Sequence, residues 1–139
     1  FPSAAGPFAC LICFEAVFPG LSRSDVRAGA RWLVNITNDE WFGRSAALPQ
    51  HAAMAVFRAV ENGVPLARCA NTGLTMLVDA NGRVVERLPA FERGVLVAAL
   101  PGAAPRRSPT PYTRAGDWPF AVCAAALAGC AALAMRRSR

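Results

Sequence analysis

A chain of 139 residues, 54% of them hydrophobic and 17% charged, is long enough for one domain with a core and is not the composition of a disordered protein. The net charge is +6 and all fifteen basic residues are arginine. Because the arginines are scattered and not interleaved with aromatic side chains, the sequence does not indicate a nucleic-acid surface. We expect these arginines on solvated faces and at a membrane edge.

Predicted strands and helices alternate over the first hundred residues. Apolar runs predict strands, helical spacing of apolar residues predicts helices, and Asn81-Gly82 between two short strands predicts a hairpin. In chain order we expect a strand at 8–12, a helix capped at 22–25 and running to about 30, a strand at 32–37, a helix at 47–62, a strand at 65–70, a turn at 71–73, strands at 74–78 and 84–88, and a last strand at 94–100. This order predicts an α/β layered core, which we place at 1–101.

The composition changes after Leu100. Residues 102–117 are rich in proline and glycine, which predicts an extended connector. Residues 118–135 contain no charged residue and would span about 27 Å as a helix, enough for the core of a bilayer. The basic residues at 136–139 predict a cytoplasmic tail, so that the globular part lies outside the cytoplasm. Since the chain starts at Phe1 without a signal peptide, we expect it to be part of a longer protein.

The cysteines indicate neither a disulfide framework nor a metal site. There are five, and an odd number cannot pair completely. Cys10 and Cys13 form a C-x-x-C pattern, but residues three apart on a strand point to opposite faces. Zinc would need two further soft ligands, and outside the apolar tail only His51 and Cys69 remain. We therefore predict no redox pair and no metal.

Cys13 admits two interpretations. It follows a buried strand and precedes Phe14-Glu15-Ala16, and the ends of strands are where α/β sheets present reactive groups. Glu15 would lie on the same face as Cys13 while the chain stays extended, and could orient a neighbour or hold the loop. Free cysteines are, however, more often inert core residues. On the residues alone, both interpretations stay open.

Four segments in a fixed order resemble one enzyme family. They are ICFEAVFP, NITNDEWFG, QHAAMAVFRAVENGVPLARCANTG, and TPYTRAGDWP ahead of an apolar tail. Over nearly the whole chain they resemble the C-terminal part of apolipoprotein N-acyltransferases, bacterial inner-membrane members of the nitrilase superfamily. The resemblance implies the C-terminal half of a nitrilase-type α-β-β-α sandwich followed by one C-terminal transmembrane helix.

The resemblance also implies a reaction, substrates and a place in the cell. A fatty acyl chain would pass from a phospholipid, via a cysteine thioester, to the N-terminal diacylglyceryl-cysteine of an apolipoprotein. No metal or organic cofactor is implied. The globular part would be periplasmic and the C-terminus cytoplasmic.

Residue by residue, Cys13 matches the family's nucleophile, the backbone N–H of Phe14 matches a donor to the oxyanion, and Glu15 matches an acidic position that supports the site. Trp41 and Phe42 could line the acyl-chain entrance or simply pack over the sheet edge. The triad's glutamate and lysine would precede the nucleophile, but this chain has no lysine and no glutamate before Cys13. We expect the upstream part of the same enzyme to supply both, and the 139 residues alone to be inactive.

The remaining candidates are expected to be structural. His51 could act as a general base, but its place near a helix start favours a packing role. Glu61 and Arg68 are expected to pair across the turn from helix to strand.

Two alternatives to the acyltransferase stay open. One is a fragment of a soluble nitrilase-like amidase that uses the same cysteine. The other is a catalytically incomplete, membrane-anchored copy.

Overall fold

The computed structural model describes residues 1–100 and 108–137, which form a five-stranded sheet and four α-helices. The strands lie in the order in which they occur along the chain. The first three are parallel, and the last two are antiparallel to their neighbours. They are β1 (Phe8–Ile12), β2 (Trp32–Thr37), β3 (Leu66–Ala70), β4 (Thr75–Val78) and β5 (Val84–Leu88). The predicted α/β class and the predicted hairpin between β4 and β5 are confirmed.

Helices α1 (Pro19–Arg27) and α2 (Ala47–Asn62) cover one face of the sheet. The other helices are α3 (Pro111–Ala115) and α4 (Trp118–Arg137), and two short 3-10 helices lie at Cys13–Val17 and Glu40–Phe42. Small residues at helical spacing let α2 pack closely on the sheet, because Ala52, Ala55 and Ala59 are all buried in the core. The helix ends where Gly63 adopts a left-handed conformation with φ of +65°.

Helix α1 begins earlier than predicted. Pro19 occupies its first turn, where a missing N–H and a preset φ suit a helix start. Ser22 does not cap the helix; it is fully buried, and its hydroxyl donates to the carbonyl of Pro19 and accepts from the Asn62 amide. The capping pattern at 22–25 was therefore assigned the wrong role.

The opposite face of the sheet is open. A groove of about 740 Å³ lies on it, lined by strand residues that include Val34, Ala67 and Leu77, and by the segment 92–96. The strand predicted at 94–100 is wrong, because these residues pair with no strand and Val95 and Val97 are exposed. A strand needs a partner edge in register, and the apolar pattern of this segment alone does not provide one.

The connector also differs from the prediction. Residues 101–107 lie outside the described residues, but α3 lies within the segment predicted to be extended. Thr110 caps α3, and Arg23 donates to the carbonyls of Tyr112, Thr113 and Arg114. These bonds fasten the residues before α4 to the helical layer.

Helix α4 is apolar along most of its length. Trp118–Arg136 has a mean hydropathy of 1.8 and none of it is buried, so its length and composition suit a membrane span. The helix continues through the first residues of the predicted basic tail, and the last two residues lie outside the described part of the chain.

Candidate active site

Cys13 lies at the turn where β1 ends and the first 3-10 helix begins. Its φ is +51°, in the left-handed region that non-glycine residues rarely adopt, and the residue is half-buried. Such a conformation persists only where surrounding contacts hold it. The site therefore begins with a partly exposed thiol on a constrained turn.

Glu15 closes this turn from the outside. Its carboxylate accepts a hydrogen bond of 2.7 Å from the backbone N–H of Ile12. The expectation that Glu15 shares a face with Cys13 on extended backbone is wrong, because the chain becomes helical at Cys13. The carboxylate instead joins the last residue of β1 to the 3-10 helix.

Arg58 holds the same turn from the inside. It is buried on α2 and donates to the carbonyls of Ala16 and Val17, at 3.3 and 2.9 Å. Its second nitrogen pairs with Glu61 at 2.6 Å. The predicted pair between Glu61 and Arg68 is therefore wrong: helical spacing brings Glu61 to Arg58, one turn away on the same helix.

Arg68 forms a buried ion pair with Asp39. The guanidinium lies 2.6 Å from the carboxylate, and both side chains are fully buried. Burial lowers the pKa of the Arg68 guanidinium, and the neighbouring Asp39 opposes that effect. Placing all the arginines on solvated faces was wrong for Arg58 and Arg68, each of which is held by specific acceptors inside the fold.

Asp39 is the centre of this polar cluster. Its carboxylate lies 3.0 Å from Nδ1 of His51 and accepts from the hydroxyl of Thr37 at 2.9 Å. Its backbone N–H donates to the side chain of Asn71. The predicted turn at 71–73 therefore contacts the end of β2, and it leaves Gly73 directly against the Asp39 carboxylate.

Asn35 connects the cluster to the turn of Cys13. Its side-chain amide donates to the carbonyl of Leu11 at 2.9 Å and to the carbonyl of Cys13 at 3.3 Å. Its side-chain oxygen accepts from Arg68. Leu11, Asn35 and Arg68 are register partners on three adjacent strands, so the sheet itself places them in one row.

Aromatic side chains surround the outer side of the turn. The ring of Phe14 is half exposed and meets Phe18 edge-on at 5.9 Å. His51 is buried with its ring 5.8 Å from that of Phe14 and 5.3 Å from that of Phe42, as expected for a packing role. Trp41 lies next to Phe42 and is 85% exposed.

Sequence reasoning missed the roles of Asn35, Asp39 and Arg68. A signal was present: Asn35 lies on the same face of its predicted strand as Leu33, and Arg68 on the same face as Leu66. A polar residue on a buried face needs a partner. Only the strand register shows that these two are partners of each other.

Cys10 differs from Cys13 in both place and chemistry. It lies within β1, and burial, with Glu15 nearby, raises the pKa of its thiol. Within residues 1–100 and 108–137, no three His, Cys, Asp or Glu side chains come together as a metal-ligand set.

Comparison with known proteins places this chain in a family. The family model described as carbon-nitrogen hydrolase matches residues 1–107. A structure from Saccharomyces cerevisiae, a member of branch 10 of the nitrilase superfamily, shares the fold with a TM-score of 0.55 and 24% identity, over 67% of this chain and 37% of that one.

Two curated relatives are similar over most of the chain. An apolipoprotein N-acyltransferase from Geobacter metallireducens is 50% identical over 95% of this chain, and one from Bradyrhizobium diazoefficiens is 48% identical over 83%. These matches cover 25% and 21% of the relatives, so the chain spans about a quarter of their length. The chain belongs to the carbon-nitrogen hydrolase family and has the nitrilase-type fold of that family.

Proposed function

We propose that this chain is the C-terminal part of an apolipoprotein N-acyltransferase, with Cys13 as its nucleophile. The observation that carries the proposal is a half-exposed thiol on a constrained turn at the end of strand β1. The 50% identity to an enzyme of this name, over 95% of the chain, supports the same reaction here. The donor is a phospholipid and the acceptor is the N-terminal diacylglyceryl-cysteine of an apolipoprotein.

The first half-reaction forms a thioester. The Cys13 thiolate attacks the ester carbonyl of the phospholipid, and negative charge collects on the carbonyl oxygen, to which the Phe14 N–H donates. The ester C–O bond then breaks, and the lysophospholipid alkoxide leaves and takes up a proton.

The second half-reaction transfers the acyl chain. The free α-amino group of the acceptor attacks the thioester carbonyl, the C–S bond breaks, and Cys13 leaves as the thiolate. The nitrogen loses a proton and the product is an amide. In this account Glu15 supports the site through its bond to the Ile12 N–H and does not itself take the proton.

Two further groups are needed, a general base and a cation near the oxyanion. The sequence contains no lysine and no glutamate ahead of Cys13. In our proposal the upstream part of the same enzyme supplies a glutamate and a lysine, and the 139 residues are inactive alone.

Trp41 and Phe42 are our candidates for the acyl-chain contact. Trp41 exposes 85% of its surface, and its sequence neighbour Phe42 contacts the ring of His51, which in turn contacts Phe14. A large apolar side chain in this position suits a lipid substrate better than a small polar amide.

Helix α4 would anchor the enzyme in the bacterial inner membrane. Arginine follows its apolar stretch, which favours a cytoplasmic C-terminus and a periplasmic catalytic part. A soluble amidase would be recovered from cells without detergent, whereas the anchored acyltransferase requires detergent for its release.

The two half-reactions provide the test. The full-length enzyme is first incubated with phospholipid, freed of lipid, and then given a peptide that begins with diacylglyceryl-cysteine. We expect the peptide to gain one acyl chain by mass, and a matched peptide with an acetylated N-terminus to gain none. Acylation of the blocked peptide, or none of the free one, would contradict the proposal.

A further inference from the structure

We propose that Asn35 is a positioning residue that sets the direction of the Phe14 N–H. This inference rests on the proposed function, in which that N–H donates to the oxyanion. The evidence is a chain of hydrogen bonds that runs from the buried ion pair to the peptide between Cys13 and Phe14.

The direction of the Asn35 amide is fixed by its neighbour. A guanidinium carries only donors, so Arg68 must face the oxygen of the Asn35 side chain. The NH₂ group is then turned the other way, to the carbonyls of Leu11 and Cys13. Arg68 cannot turn away, because Asp39 holds its second nitrogen at 2.6 Å.

The carbonyl of Cys13 and the N–H of Phe14 belong to one peptide unit. In a trans peptide these two groups point in opposite directions, and this peptide is trans. Since the carbonyl accepts from the buried Asn35, the N–H of Phe14 points away from Asn35.

The bond to Asn35 opposes rotation of the peptide between Cys13 and Phe14. This rotation changes ψ of Cys13 and φ of Phe14, and it would turn the Phe14 N–H away from the substrate. The Asn35 amide therefore keeps the donor oriented before substrate binds, the condition under which oxyanion donors are most effective.

The test compares two reactions of the same thiol in the full-length enzyme. Thioester formation from a dipalmitoyl phospholipid in detergent micelles passes through an oxyanion, but alkylation by iodoacetamide does not. The Asn35→Asp side chain keeps its shape and still offers Arg68 an oxygen acceptor. It lacks the NH₂ group that donates to the carbonyls of Leu11 and Cys13. We expect thioester formation in a single turnover to slow about 10- to 100-fold, because an oxyanion donor is mispositioned. Alkylation of Cys13 should change by less than about 3-fold.

Two further variants complete the design. Asn81→Asp makes the same chemical change in the exposed hairpin turn and should leave both rates unchanged. Asn35→Thr keeps one hydroxyl donor in a similar volume and should give an intermediate rate of thioester formation, which also provides a measurement if the aspartate variant does not fold.

The outcomes separate the inference from the proposed function. If the wild type forms no thioester, the proposed function fails and the inference fails with it. If the wild type forms the thioester and the Asn35 variants form it equally fast, the inference alone is wrong. An equal slowing of acylation and alkylation would assign Asn35 a general structural role and would also overturn the inference.

Discussion

The guanidinium of Arg68 lies 2.6 Å from the carboxylate of Asp39, and both side chains of this ion pair are fully buried. Arg68 lies in the middle of β3 and Asp39 follows β2, so the pair joins β3 to the loop after the neighbouring parallel strand. The same guanidinium binds the side chain of Asn35, which reaches the turn of Cys13. A charged pair in the interior thus supports the geometry of the half-buried turn at Cys13.

Removing one partner of this ion pair should destabilise the folded protein. We expect Asp39→Ala to lower the free energy of unfolding by about 3–5 kcal/mol, because it leaves a buried cation without its partner. Denaturant unfolding of the full-length protein in detergent measures this. The control is Glu61→Gln, which weakens a pair in which Glu61 is partly exposed and should cost about 1 kcal/mol or less. Equal losses of unfolding free energy in the two variants would show that the buried pair contributes no more to stability than the partly exposed pair.

Gly73 should tolerate no side chain. A Cβ atom there would lie 2.0 Å from the Asp39 carboxylate, which is held by several hydrogen bonds and cannot withdraw freely. We expect Gly73→Ala to lower the thermal midpoint strongly and to reduce acyl transfer. Gly20→Ala is the matched control, since nothing lies within 4 Å of its added methyl group. A Gly73→Ala variant as stable as the Gly20→Ala variant would contradict the described packing.

Cys13 offers a test of backbone strain that is independent of chemistry. Both Cys13→Gly and Cys13→Ala remove the thiol and should abolish acyl transfer. Because glycine adopts a positive φ without penalty, we expect the glycine variant to be the more stable of the two by about 1 kcal/mol. Thermal unfolding of the two inactive proteins measures the difference. A more stable alanine variant would mean that Cys13 does not have a left-handed conformation.

Asp25 should make stability depend on pH. Burial, with a contribution from Glu15, raises the pKa of its carboxyl above the usual 3.8. The folded state therefore binds the proton more tightly than the unfolded state, and the stability that protonation contributes is complete below pH 3.8 and is lost as the pH rises through the folded pKa.

Asn mimics the protonated form of this carboxyl. We expect Asp25→Asn to raise the thermal midpoint slightly at pH 7 and to have no effect below pH 3.8. Glu86→Gln, on the exposed strand β5, is the control. A stabilisation that stayed constant from pH 3 to pH 7 would not come from the titration of Asp25.

The sequence predicted those parts of the fold that depend on local patterns. The three parallel strands and the hairpin follow from apolar runs and from Asn81-Gly82, and α2 follows from its spacing and Gly63. Whether residues 94–100 form a strand could not be predicted from their own sequence, because a strand must pair with the edge of a sheet formed by residues elsewhere in the chain. The start of α1 was missed because Ser22 resembles a cap but is held by a residue 40 positions away, Asn62.

The candidate site was predicted only in part. Cys13 could be chosen from its place after an apolar predicted strand and from the family resemblance. The contacts that hold its turn could not, because Asn35, Arg58 and Arg68 come from three elements far apart in sequence. Their partnership depends on strand register and helix packing, which no single stretch of sequence determines.

The most direct test of the account is the mass of Cys13 after a single turnover. The full-length enzyme is incubated with phospholipid, digested at low pH to preserve thioesters, and analysed by mass spectrometry. We predict one acyl chain on the peptide that contains Cys13, its release by hydroxylamine, its loss in Cys13→Ala, and its persistence in Cys10→Ala. An acyl chain that persists in Cys13→Ala, or an active enzyme that acylates its acceptor while Cys13 stays unmodified, would contradict the account.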